Sequence, residues 1–217
     1  MPKTAHLRLI SILLGAAMAA LASAAYPAGR VALVIGNTTY EKLAPLANPG
    51  ADAARMAELL AASGFTVMSC DGKRPGCFDL DRGDMLDALE EFRDMARGAD
   101  LALAYYAGHG MQTAEGNVIA PTDIEVSCGD WATRRSVMLD DVLTSMQGAR
   151  ERIVILDACR NDPFQAQQCL ERGARPLSFG SIAVPDSTSR LLLVTSTQNG
   201  QFAQDGPAGG PSPFAAA

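Results

Sequence analysis

Apolar segments of strand length alternate with amphipathic segments of helical spacing, and this alternation restricts the fold more than any other feature of the chain. The strand-like segments are 30–36, 65–69, 100–106, 152–157 and 191–196. The helix-like segments are 52–63, 82–97 and 139–147. Because strands alternate with helices, the pattern predicts an α/β fold with a mostly parallel sheet and helices on both faces. A small hairpin is predicted over 111–119.

The N-terminus has the composition of a secretory signal peptide. Lys3 and Arg8 precede an uncharged apolar stretch, and small residues at 22–25 suit a signal peptidase. The apolar stretch is short for a membrane span, although an uncleaved N-terminal anchor is the alternative. We therefore predict a signal peptide over 1–25, a single domain over 26–217, and a periplasmic or secreted protein.

The net charge restricts the partners of the predicted domain. Loss of Lys3 and Arg8 with the signal peptide changes the formal charge from −6 to −8. An acidic domain is a poor candidate for binding nucleic acid or anionic lipid. No later segment is long and apolar enough to cross a bilayer. We therefore predict no nucleic-acid partner and no membrane association beyond export.

The five cysteines are an odd number for an exported chain. Cys159 directly follows an apolar strand, whereas the other four lie in polar, turn-rich segments. The pattern predicts two disulfides and one free functional thiol. A mixed or partly reduced set is the alternative, because spacing alone does not define the connectivity.

One histidine and one cysteine each lie where a predicted strand ends. His109 follows the strand 100–106, and Cys159 follows the strand 152–157. The carboxyl ends of parallel strands share one edge of a sheet, where ligands bind. An imidazole and a thiol at that edge are the parts of a general base and a cysteine nucleophile. Taken singly, a structural histidine and a small core cysteine are the more common interpretations.

Several short motifs in this order resemble the caspase-like fold of clan CD cysteine peptidases, and most of all bacterial metacaspase-type proteins. These motifs are 32–37, 46–49 with 52–53, 105–110, 157–161 with 163–164, 205–206 and 212–214. The resemblance covers nearly the whole predicted domain and implies a caspase-like three-layer sandwich. The last residues look like the first turn of a helix, so we expect the domain to be incomplete at its C-terminus.

The resemblance implies a catalytic dyad and protein or peptide substrates. Cys159 would attack the scissile carbonyl as a thiolate, and His109 would carry the proton to the leaving amine. The backbone N–H groups of Gly110 and Cys159 would form the oxyanion hole. Glycine suits position 110 because no side chain blocks the approaching carbonyl.

The resemblance also implies a specificity. Metacaspases cut after Arg or Lys with acidic pocket residues, and Asp52 and Asp157 match those positions. The alternatives are structural: Asp157 caps a loop at the strand end, and Asp52 is a helix N-terminal acid favoured by the helix dipole. Arg160, next to the nucleophile, is unfavourable for a basic substrate if its side chain points inward.

The strand order implied by the resemblance places the second strand far from the fourth. This order favours a Cys70–Cys77 disulfide within one loop and a Cys128–Cys169 disulfide between two others. Linking Cys70 to Cys128 or Cys169 would require a bridge across the sheet.

No cofactor is predicted. The chain has no phosphate-binding loop and no dinucleotide fingerprint, and its scattered cysteines argue against a zinc site. Some metacaspases need calcium, which leaves calcium dependence open. Asp79, Asp81 and Asp84 form an acidic cluster, but their spacing is not that of a calcium loop, and helix capping explains them equally well.

These observations predict an exported caspase-like cysteine endopeptidase that cuts after Arg or Lys. The first alternative is a caspase-fold binding module in an envelope assembly, with an idle dyad. The second is another thiol enzyme on the same scaffold, such as a transpeptidase. The sequence does not predict the oligomeric state.

Overall fold

The computed structural model of the protein describes residues 29–113, 116–125, 136–159, 190–196 and 212. The helices are α1 (Pro49–Ala62), α2 (Arg82–Ala96) and α3 (Leu139–Ser145). The strands are β1 (Arg30–Gly36), β2 (Thr66–Val67), β3 (Cys77–Phe78), β4 (Leu101–Thr113), β5 (Gly116–Ile119), β6 (Val137–Met138), β7 (Glu151–Cys159) and β8 (Arg190–Thr195).

The main sheet is parallel, as the sequence predicts. β2 and β3 both pair with β1, which is followed across the sheet by β4, β7 and β8. The distal end of β4 pairs with β5 in antiparallel fashion, and β5 pairs with β6 in the same way. The predicted hairpin over 111–119 is therefore present as β4 and β5.

Alternating residues of the central strands form two separate cores, one on each face of the sheet. On one face, α1 packs against Ala32, Val34, Leu103, Tyr105 and Ala107. On the other face, α2 and α3 pack against Leu33, Ile35, Ala102, Ala104 and Tyr106. This period-two division follows from strand geometry and confirms the three-layer α/β sandwich.

Most element boundaries differ from the predicted ones by one to three residues, and three differences bear on the fold. The sequence pattern does not predict β3 and β6, because two-residue strands are too short to show alternation. α1 begins at Pro49 rather than residue 52, since proline is favourable at the first helical position. β4 continues past residue 106 to Thr113, because its glycines allow it to leave the parallel sheet and enter the hairpin.

The structure contains a disulfide between Cys70 and Cys77, the pairing predicted for these residues. It closes the loop between β2 and β3, and Cys77 is completely buried. Cys128, Cys169 and the predicted signal peptide lie outside the described residues. Within the described ranges, none of the helices is long and apolar enough to cross a membrane.

Candidate active site

His109 and Cys159 lie side by side on adjacent parallel strands. The two residues are the last register partners in the parallel pairing of β4 with β7, and β4 itself continues to Thr113. Neighbouring strands run about 4.8 Å apart, so the two backbones are close enough for a shared site. The structure describes Cys159 by its backbone, and the location of its thiol is outside what is described.

The imidazole of His109 is buried and anchored by a backbone carbonyl. Its Nε2 atom lies 2.9 Å from the carbonyl oxygen of Ala44. A carbonyl can only accept a hydrogen bond, so Nε2 must be the donor. In the neutral ring the lone pair is therefore on Nδ1, which leaves this nitrogen as the proton acceptor.

Two tyrosines hold the backbone of His109. The hydroxyl of Tyr40 accepts a hydrogen bond from the His109 N–H at 2.9 Å, and the tyrosine ring packs on the imidazole at 4.7 Å between centroids. The hydroxyl of Tyr106 donates to the His109 carbonyl at 2.7 Å. Burial raises the pKa of Tyr106 well above its usual value, so this hydroxyl stays protonated and able to donate.

Asn37 connects this arrangement to the rest of the fold. Its side chain is completely buried, accepts from the Leu80 N–H at 3.0 Å and donates to the Ala120 carbonyl at 3.0 Å. Its own carbonyl accepts the hydroxyl of Tyr40. The sequence motif 32–37 includes Asn37, and a polar residue directly after a buried strand is a signal that could have identified it. No sequence pattern indicates Tyr40.

Gly110, the predicted oxyanion-hole residue, follows His109 in β4 and is the first residue to pair with β5. A Cβ atom here would lie 3.1 Å from the Cβ of Ala158 and 3.3 Å from the Val118 carbonyl. These distances are tighter than ordinary contacts, so the close approach of β4 and β7 favours glycine at this position.

Gly108 is the residue whose substitution should disturb the histidine most directly. It has φ +155°, and a Cβ atom would lie 2.5 Å from the Tyr106 hydroxyl and 2.7 Å from the Tyr40 hydroxyl. Because both hydroxyls bind the His109 backbone, we expect Gly108→Ala to destabilise the protein by about 1–3 kcal/mol and to lower activity. Urea unfolding and peptide hydrolysis measure the two effects.

Gly98→Ala is the matched control for this prediction. Gly98 has φ +79°, but a Cβ atom there would meet nothing within 4 Å. This variant should therefore show backbone strain without loss of activity. Equal activity losses in the two variants would contradict a specific role for the tyrosine hydroxyls.

Asp52 and Asp157 are brought together at the same edge of the sheet, where Asp157 is the register partner of Ala107. Asp52 is buried in the first turn of α1. The N–H of Ser212 donates to both carboxylate oxygens of Asp52, at 3.3 and 3.2 Å. The Ser212 hydroxyl donates to Asp157 Oδ2 at 2.8 Å, and Tyr105 donates to the same oxygen at 3.4 Å. Ser196 also lies beside Asp157. We call Asp52, Tyr105, Asp157, Ser196 and Ser212 the acidic pocket.

The carboxyl of Asp157 is held in conditions that disfavour its charge. Burial raises the pKa of Asp157 above its usual value, and the nearby Asp52 acts in the same direction. Hydrogen bonds from Ser212, Ser196 and Tyr105 oppose the increase. Burial, followed by the charge of Asp157, raises the pKa of Tyr105 far above its usual range. Because the buried Asp52 and the half-buried Asp157 lie close together, a cation placed between them would be favoured.

The acidic cluster that follows β3 has structural roles. Asp79 Oδ1 accepts hydrogen bonds from the N–H groups of Thr38 and Thr39 at 2.7 and 2.9 Å. Asp81 caps α2 by accepting from the Asp84 N–H at 2.8 Å. Over the part of the chain that the structure describes, no three His, Cys, Asp or Glu side chains are grouped so as to hold a metal ion.

Comparison with known proteins gives one family and several distant relatives. The family model described as "Caspase domain" (Peptidase_C14) matches residues 29–217. Mucosa-associated lymphoid tissue lymphoma translocation protein 1 of Homo sapiens is 28% identical over 133 residues, which cover 60% of this chain and 15% of the human protein. Its Mus musculus homolog matches to the same extent. The chain thus corresponds to a small part of both relatives.

Protein GSU0716 from Geobacter sulfurreducens has a similar solved structure. Its TM-score is 0.58 at 16% sequence identity, and the match covers 87% of this chain and 79% of that one. At this identity the likeness concerns the fold alone.

Proposed function

The chain belongs to the caspase-domain family, and on that premise we propose that it is a cysteine endopeptidase with Cys159 as nucleophile and His109 as general base. The observation that carries the proposal is the register of β4 and β7, which places these two residues opposite each other. The anchoring of Nε2 at Ala44 supports it, because this contact leaves Nδ1 to accept the proton.

In the proposed reaction, His109 Nδ1 accepts the Cys159 proton, and the thiolate attacks the scissile carbonyl carbon. The resulting oxyanion binds backbone N–H groups, for which we propose Gly110 and Cys159. Collapse of this intermediate breaks the C–N bond, and the leaving amine takes the proton from His109. Water then hydrolyses the thioester, with His109 accepting a proton from water and returning it to the sulfur.

We propose that the acidic pocket binds an Arg or Lys side chain immediately before the cleaved bond, as in metacaspases. Two neighbouring carboxylates, the buried Asp52 and the half-buried Asp157, have no cationic partner among the described residues, which supports this assignment. A guanidinium or ammonium would offset their mutual repulsion and bring the scissile carbonyl toward His109 and Cys159.

We further propose that the protein is exported, with 1–25 as its signal peptide and 26–217 as its peptidase domain. The positive start, the apolar stretch and the small residues at 22–25 support export. The Cys70–Cys77 disulfide agrees with an oxidising compartment such as the periplasm.

A panel of fluorogenic peptides that differ only in the residue before the cleaved bond tests the proposal. We expect hydrolysis after Arg and Lys, little after Asp, and none by Cys159→Ala. Parallel assays with calcium and with a chelator decide whether calcium is needed. Absence of hydrolysis under all these conditions would instead favour the binding module.

A further inference from the structure

The Ser196 hydroxyl is the group of the acidic pocket whose acceptor lone pairs no described residue uses. Ser196 follows β8, and its N–H donates to the Leu156 carbonyl at 3.0 Å, which places it beside Asp157. Its Oγ atom is buried and accepts no hydrogen bond from the described residues. As a hydrogen-bond donor beside Asp157, it lowers the pKa of that carboxyl. A hydroxyl has two lone pairs besides its one O–H, so Ser196 can still accept a hydrogen bond from a ligand at Asp157.

The hydrogen bonds already made in the pocket define what a ligand would find. The Ser212 N–H donates to both carboxylate oxygens of Asp52. The hydroxyls of Ser212 and Tyr105 both donate to Oδ2 of Asp157. Neither Ser212 nor Tyr105 uses Oδ1 of Asp157. The remaining acceptors are therefore Oδ1 of Asp157, the Ser196 hydroxyl, and the spare lone pairs of the other oxygens.

We propose that Ser196 makes the acidic pocket select Arg over Lys, by accepting one guanidinium N–H while Asp157 accepts another. This inference rests on the proposed function of the pocket. A guanidinium presents five N–H donors in a fixed planar fork, and so reaches two separate acceptors at once. An ammonium is a compact point charge that the carboxylates alone can satisfy. A hydroxyl also adds an acceptor without adding a third negative charge to the pocket.

The test compares Ser196→Ala with the wild type on two peptides that differ only in Arg or Lys before the cleaved bond. We expect kcat/KM for the Arg peptide to fall about tenfold, mainly through KM, because a hydrogen bond to a charged group is lost. The Lys peptide should change less than about twofold. Ser196→Thr, which keeps the hydroxyl, should retain the Arg preference.

Ser136→Ala is the matched control. Ser136 precedes β6, is 4% exposed, and also carries a buried hydroxyl without a partner in the described part of the chain. Its loss should leave the ratio of Arg to Lys cleavage unchanged. A similar change of ratio in this variant would mean that Ser196 acts through general packing, and would overturn the inference.

A binding measurement separates this inference from the proposed function. In the Cys159→Ala protein, agmatine carries the guanidinium and cadaverine the ammonium, and each should raise the melting temperature. Ser196→Ala should weaken the effect of agmatine selectively. Hydrolysis after Arg and Lys with a ratio that Ser196→Ala does not change overturns the inference and leaves the peptidase intact. Selective agmatine binding without any hydrolysis would overturn the proposed peptidase and leave the inference intact. Absence of both hydrolysis and selective binding would overturn the two together.

Discussion

Replacing Cys159 or His109 with alanine is expected to lower peptide hydrolysis by about 10,000-fold or more, with little change in the fold. In the proposed mechanism both residues act in the same step, so loss of either should cost as much as loss of both. Cys159 is the last residue of β7, and His109 lies where the parallel pairing of β4 with β7 ends, so neither substitution interrupts that pairing. Measurement of kcat/KM, together with circular dichroism and thermal unfolding, checks both parts of the prediction.

A double Cys70→Ser, Cys77→Ser variant serves as the control for the thiol. It removes the two sulfurs of the disulfide and leaves Cys159 in place, so it should lose stability and keep hydrolysis. Activity above a few per cent in His109→Ala would exclude His109 as the general base, because a base that is removed cannot support the reaction.

Asp157→Asn is expected to lose about a hundredfold or more in kcat/KM on peptides with a basic residue before the cleaved bond. Truncating one partner of a buried charge pair costs about 2–5 kcal/mol, which corresponds to losses of this size. The same substitution should increase the free energy of unfolding at neutral pH. The raised pKa of Asp157 means that its charge is unfavourable in the folded protein, and asparagine removes that charge.

The raised pKa of Asp157 makes the free energy of unfolding depend on pH. With its pKa raised by burial, Asp157 binds its proton more tightly in the folded than in the unfolded protein. Its contribution to stability is therefore greatest in acid and is lost as the pH rises through the raised pKa. In urea unfolding, Asp157→Asn should have a higher free energy of unfolding than the wild type at about pH 7, and this advantage should disappear by about pH 4.

If Asp157 binds the basic side chain as proposed, the wild-type KM for basic peptides should rise on acidification, because protonation removes the charge of Asp157. Asp87→Asn is the control, since Asp87 is exposed on α2 and changes the net charge equally. If Asp157→Asn retained the wild-type KM for Arg peptides, Asp157 would have a structural role and not one in specificity.

The presence of the main parallel strands and the position of the candidate site follow from local features of the chain, whereas the order of the strands in the sheet needed the family resemblance. Apolar periodicity depends on neighbouring residues, so it indicates the strands 30–36, 100–106 and 152–157 without knowledge of contacts. The carboxyl ends of parallel strands meet at one edge, which is why His109 and Cys159 could be placed together. The pairing of Asp52 with Asp157 needed the family resemblance in addition.

The contacts that hold the site were decided by the tertiary structure. Tyr40 meets His109 across 69 positions of sequence, and Ser212 meets Asp52 across 160. Asn37 is joined to Ala120 across 83. A hydrogen bond between such distant residues depends on where the chain passes, and no local pattern records that path.

The sequence by itself therefore determined the α/β architecture and the edge at which a thiol and an imidazole could meet. Only the folded chain decided which nitrogen of His109 donates to Ala44, and which serines surround Asp157. The physical reason is the range of the interactions. Periodicity and strand ends are properties of a few consecutive residues, whereas tautomer, burial and pKa depend on groups that folding brings together.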